Sequence, residues 1–107
     1  MIRTMSWGPS GNLQTNFDVS ECRKKIKRSR EIVWVDIYDT NYDDSVAVLS
    51  DIFEFHPLAI DDALIETHVP KIDDWGDYLY LVTQTIQPDD LPEDGFDTQE
   101  VDLFIGK

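Results

Sequence analysis

Apolar positions recur along this chain with two different periods, and each change of period marks an element. Residues 1–16 have room for one or two short strands, punctuated by Gly8-Pro9 and Gly11-Asn12. Asp18 has the character of a helix N-cap. Behind it, the spacing of Val19, Cys22 and Ile26 predicts a helix of about ten residues with those three inward. Arg23, Lys24, Lys27 and Arg28 then face outward as a basic, solvated side. The run IVWVDI, Ile32 to Ile37, is β-branched and aromatic and predicts a central strand. Thr40 or Asn41 is placed to cap a helix through Phe55, in which Val46, Leu49 and Phe53 recur at helical spacing. Asp43 and Asp44 fall in its first turn, where carboxylates oppose the helix dipole favourably. Pro57 suits the first position of a further helix reaching about Thr67, with Leu58, Ile60, Ala63 and Leu64 as its apolar positions.

After the Val69-Pro70 break comes an acidic stretch, IDDWGD, read as loop. A buried-looking strand, Tyr78 to Ile86, follows, then an acidic Pro/Gly turn, PDDLPEDGFD. The last strand runs from Thr98 to Ile105, with Val101, Leu103 and Ile105 on one face. Strands and helices interleaved in this order predict an α/β domain, a mixed β-sheet flanked by α-helices. Residues 1–107 are expected to form a single N-terminal domain. The final apolar strand has no element after it to cover it, so the chain is expected to be cut from a longer one. Its open edge is expected to promote self-association.

Composition narrows the function. With 41% hydrophobic and 29% charged residues the chain reads as a soluble globular protein. Its longest strongly apolar stretch, Tyr78 to Val82, is far shorter than the roughly 18–20 residues that cross a bilayer. MIRTMSWGPSG lacks the apolar centre of a secretory signal. The lone cysteine, Cys22, excludes an internal disulfide and a multi-cysteine zinc site, and its spacing is that of core packing. The net charge of −13 is uneven: residues 1–30 carry seven Lys/Arg against two Asp/Glu, and residues 31–107 carry two against twenty. So acidic a body repels phosphate backbones, which argues against nucleic acid as a partner, and attracts cations.

No enzyme motif is present. The sequence has no Gly-rich phosphate loop, no nucleophile elbow and no paired histidines at metal-ligand spacing. His56, just before Pro57, reads as part of a helix start, and His68 as lying just past a helix end. Two groups of acids are candidates for cation binding, because carboxylate oxygens are the hard ligands that Mg2+ and Ca2+ prefer. Asp61, Asp62 and Glu66 lie in one short predicted helix, with Asp62 and Glu66 at i, i+4 on one face. Asp73, Asp74 and Asp77 form a second group in a loop. Spacing alone leaves both groups open between a solvated acidic surface and a metal site. A stand-alone acidic metal-binding protein, or a metal-dependent hydrolase using Asp73, Asp74 and Asp77, is the alternative.

From Val33 onward the chain resembles the N-terminal cytoplasmic domain of the CorA family of magnesium and cobalt transporters. The residues that carry the resemblance are VWVDI (Val33–Ile37), IFEFHPLAIDDAL (Ile52–Leu64), HVPKIDDWGDYLYLV (His68–Val82) and EVDLFIG (Glu100–Gly106). Asp61 stands where the family more often has Glu; residues 1–30 carry no resemblance. Membership would imply a non-enzymatic role at the cytoplasmic face of the cell membrane. The parent would be a homopentamer, each subunit adding a stalk helix and two spans that this chain does not contain. A cytoplasmic domain of this kind senses Mg2+ between neighbouring subunits, metal there favouring the closed channel. The sensor ligand would be Asp62, with Asp61 and Glu66 as outer ligands through water. The cation would be Mg2+, bound weakly, with Co2+ or Zn2+ as other members' ions.

Overall fold

Strand β1, Ile2–Trp7, turns its small polar residues inward: Thr4 and Ser6 are buried while Trp7 is 54% exposed. The Thr4 hydroxyl is satisfied by donating to the Phe17 carbonyl at 2.6 Å, as a buried polar group requires. In this computed structural model, which describes residues 1–28, 30–65, 69–86 and 98–107, β1 is the middle strand of an antiparallel sheet. It lies between β2, Leu13–Thr15, and β3, Ile32–Ile37. The register sets Met5 opposite Trp34 and Trp7 opposite Ile32. The strand expected at Ile32–Ile37 is therefore present, but at an edge of its sheet and not at the centre. Ile32 and Trp34 are 61% and 56% exposed on the face they share with Trp7. Apolar content reports a residue's fit to a strand, not which strands flank it.

The helix expected behind Asp18 is shorter than predicted. Asp18 does cap, accepting from the Ser20 amide at 2.8 Å, over a single 3-10 turn, Val19–Glu21. Helix α1, Cys22–Ile26, follows. Cys22 is fully buried as expected, but Ile26 is exposed and Lys25 takes the inward position. Lys25 follows Cys22 at i+3, so it shares the buried face. Its ammonium lies 3.2 Å from Glu31 and 4.7 Å over the Phe17 ring, and it also bonds Gln14, so the buried charge is paired.

Asn41 is the cap of α2, Tyr42–Val46, its side-chain oxygen accepting from the Asp44 amide at 2.8 Å. The helix then loosens into a π-helical segment, Ala47–Ile52. There the Phe53 amide reaches back five residues to the Val48 carbonyl. Ser45, Val48 and Leu49 are buried, whereas the helical spacing had pointed to Val46, Leu49 and Phe53. The element ends at Ile52, three residues before the predicted Phe55, and Glu54 just beyond its cap sits in the left-handed region at φ 57°.

Helix α3, Pro57–Leu64, buries Ala59 and Ile60. Its predicted end near Thr67 lies outside the described residues, as does the turn at 88–97. The second sheet is antiparallel throughout: β4, Lys71–Asp74, then β5, Tyr78–Ile86, then β6, Thr98–Gly106. β5 and β6 pair along their whole length, from Tyr78 opposite Gly106 to Ile86 opposite Thr98. Tyr80 and Val82 are the buried centre of one face, while Ile72, Leu79 and Ile105 stand exposed on the other.

The α/β class is thus as expected, its strands sorted into two three-stranded antiparallel sheets. The chain divides into two compact units, Met1–Ile60 and Asp61–Lys107, with α3 running across the division. Among the described residues no helix is long and apolar enough to cross a membrane.

Candidate metal centre

His56 starts the element that carries Asp61 and Asp62. Its Nδ1 accepts from the Leu58 amide at 3.1 Å, a side-chain cap for α3, and Pro57 fills the first helical position, where no amide is needed. His56 is thus part of a helix start, as read from the sequence. Within the helix, Ala59 and Ile60 face inward and Asp61 is exposed. Asp62 is half-buried, its side chain 40% exposed.

β4 brings the partners of Asp62. Alternation along a strand puts Lys71 and Asp73 on one face and Ile72 and Asp74 on the other. Lys71 lies opposite Val82 and Asp73 opposite Tyr80, so the first pair sits on the face with the buried centre of β5. From there the Lys71 ammonium reaches Asp62 Oδ2 at 2.6 Å and Asp73 Oδ2 at 2.9 Å, and lies 5.5 Å from the Tyr80 ring centroid. The bonds to Asp62 and then Asp73 hold the Lys71 ammonium above the usual lysine range. Beneath it Tyr80 is fully buried, its ring stacked on Phe104 at 4.8 Å and its hydroxyl donating to Asp102 at 2.7 Å. Burial, then the Asp102 carboxylate, drives the Tyr80 phenol far above its ordinary pKa.

Two carboxylates, Asp62 and Asp73, therefore converge on one cationic group. Their oxygens are of the kind Mg2+ takes, and two of them match the one or two carboxylates by which that ion is usually held, with water completing its shell. Both carboxylates are paired with the Lys71 ammonium, so the donor set suits at most a weakly held, largely hydrated divalent cation that competes with that charge. It does not amount to an all-protein cage, since no group of three or more metal-ligating side chains forms among the described residues.

The other predicted ligands fare differently. Asp61 is exposed one position along α3 and is not drawn to Lys71. Glu66 and His68 lie outside the described residues. The rival cluster is dispersed: Asp73 turns to Lys71, and Asp74 accepts from the Gly76 amide at 2.8 Å in the turn after β4. Asp77 stands exposed beyond Gly76, whose φ of 87° suits glycine. Neither the role of Lys71 nor the pairing of Asp62 with Asp73 was anticipated. Their signal is the alternation within KIDD, which places a lysine and an aspartate on the same face two residues apart.

Two comparisons bear on this arrangement. The family model described as "CorA-like Mg2+ transporter protein" matches residues 29–107. The chain is also 38% identical over 74 residues to a Bacillus subtilis (strain 168) protein named "Putative metal ion transporter YfjQ". That match takes in 69% of this chain and 21% of the relative, so the chain spans only about a fifth of the length of the curated protein it resembles. Asp62, Lys71, Asp73, Tyr80 and Asp102 all fall inside the family match. By that match, which extends over well more than half of its residues, the chain belongs to the CorA-like Mg2+ transporter family.

Proposed function

We propose that this chain is the cytoplasmic, divalent-cation-sensing part of a CorA-like Mg2+ transporter, with Asp62 as its sensor ligand. The family is one of metal ion transporters and not a class of enzyme. The observation that carries the reading is the Asp62 carboxylate itself. It lies within the matched segment, is partly open to solvent, and is already engaged by a positive charge.

The mechanism is electrostatic. In the parent assembly, a homopentamer in this reading, acidic faces of neighbouring subunits repel one another. Mg2+ held between them by Asp62 and a carboxylate of the adjacent subunit cancels that repulsion and favours the closed channel. When internal Mg2+ falls, the ion leaves, repulsion returns and the subunits move apart. Asp61 and Glu66 act as outer ligands through water, and Co2+ or Zn2+ with similar oxygen ligation would occupy the same place. Transport belongs to the stalk and membrane spans of the parent, and this segment regulates it.

The test is metal flux through the full-length protein carrying Asp62→Ala. The variant is expected to be less readily inhibited by internal Mg2+ than the wild type. Inhibition unchanged by the substitution would count against Asp62 as the sensor.

A further inference from the structure

Among the described residues, the positive charge bonded to Asp62 is Lys71 of the same chain. Lys71 Nζ stands 2.6 Å from Asp62 Oδ2, where a charge-assisted hydrogen bond is short and strong. Mg2+ coordinates carboxylate oxygen at about 2.0–2.1 Å. A divalent ion on Asp62 would thus sit within a few ångströms of an ammonium on the same carboxylate, and at that separation like charges repel strongly. Ion and ammonium cannot share Asp62 without cost.

Lys71 has somewhere else to go. It is already bonded to Asp73 at 2.9 Å and lies over the face of Tyr80. A lysine is a compact charge on a flexible four-carbon stem with three donors that reorient freely. Asp73, held by β4 on the same face as Lys71, offers a seat that keeps the ammonium paired after it leaves Asp62. Tyr80, tied to Asp102 and Phe104, forms a fixed floor under that movement.

We propose that Lys71 is a built-in competitor for the cation at Asp62, occupying its carboxylate in the ion-free state and resting on Asp73 when a divalent cation binds. The inference rests on the reading of Asp62 as a cation ligand. Its consequence is a raised threshold: the ion must displace an ammonium before it binds, so the site responds only to high concentrations and releases readily.

The experiment is a Mn2+ titration of the chain followed by NMR, reading paramagnetic broadening of the amides around Asp62. Lys71→Gln and Lys71→Met, each checked for an unchanged circular dichroism spectrum, are expected to tighten apparent Mn2+ affinity by about tenfold or more. Lys71→Arg, which keeps the charge, is expected to stay near wild type. Should both neutral variants bind as the wild type does while Asp62→Asn abolishes the broadening, the Asp62 site stands and the competitor role falls. Broadening that persists in Asp62→Asn overturns the Asp62 reading itself. A second readout needs no substitution: with diamagnetic Mg2+, the Lys71 ε-methylene resonance of the wild-type chain must shift with the same midpoint as the Asp62 amide. A Lys71 signal that stays still while Asp62 responds overturns the proposal.

Discussion

The Tyr80 hydroxyl donates to Asp102 Oδ1 at 2.7 Å, joining β5 to β6 diagonally, since Asp102 is paired in register with Val82 and Tyr80 with Phe104. The bond sits under the Lys71 ammonium and fixes the ring on which that ammonium rests. Removing the hydroxyl alone, in Tyr80→Phe, is expected to cost about 1.5–3 kcal/mol, the range for a hydrogen bond to a charged group. Tyr80→Ala removes the buried ring as well and is expected to cost about 3–5 kcal/mol. Urea denaturation of the chain measures both.

Stability is expected to fall at alkaline pH because of the same residue. Tyr80 has an ordinary phenol pKa of 10.0 when unfolded, and burial beside Asp102 raises it far higher in the fold. Below pH 10.0 both states hold the proton and nothing is lost. Above it the unfolded chain sheds the proton while the folded chain keeps it, so unfolding is favoured by about 1.4 kcal/mol per pH unit. Denaturation midpoints measured on either side of that pH should decline in the wild type and decline less steeply in Tyr80→Phe. Parallel curves would show that another group governs the alkaline loss.

Cys22 is expected to be inert in the folded chain. It is fully buried at the start of α1, and burial holds its thiol above the ordinary cysteine range. A thiol reagent such as dithionitrobenzoate should react only as the chain unfolds, so that its rate rises with urea in step with unfolding. Rapid labelling of the native chain would mean that α1 opens locally.

Asn41→Ala is expected to cost about 1 kcal/mol by removing the side-chain acceptor for the Asp44 amide. Asn41→Asp should recover most of it, since aspartate accepts the same bond. A thermal melt separates the two.

Local chemistry made parts of this fold legible in the sequence. Asn41, Pro57 and Asp18 all mark helix starts as their types require, and the β-branched run Ile32–Ile37 and the strands from Tyr78 and Thr98 form where they were read. What failed were features set by neighbours distant in the chain. β1 and β2 lie where residues 1–16 were read to hold short strands, but the place of β1 in the middle of its sheet was not read, since its inward residues, Thr4 and Ser6, are polar. β4 was read as loop because three of its four residues are charged; pairing to β5, not propensity, makes it a strand. Ser45, Val48 and Leu49 keep helical spacing, but the buried stripe is centred one residue from Val46, whose apolar side chain is only partly covered. At the candidate site, Asp62 is singled out by family resemblance, whereas Lys71, a base among acids, is marked only by the alternation of KIDD.

The most direct test of cation sensing at Asp62 is the melting temperature of the full-length protein with and without millimolar Mg2+, in wild type and in Asp62→Ala. An ion that binds only the folded assembly raises its apparent stability by mass action. The account predicts a clear Mg2+-dependent rise in the wild type that is largely lost in Asp62→Ala. An equal rise in both would contradict it and move the sensing site elsewhere in the protein.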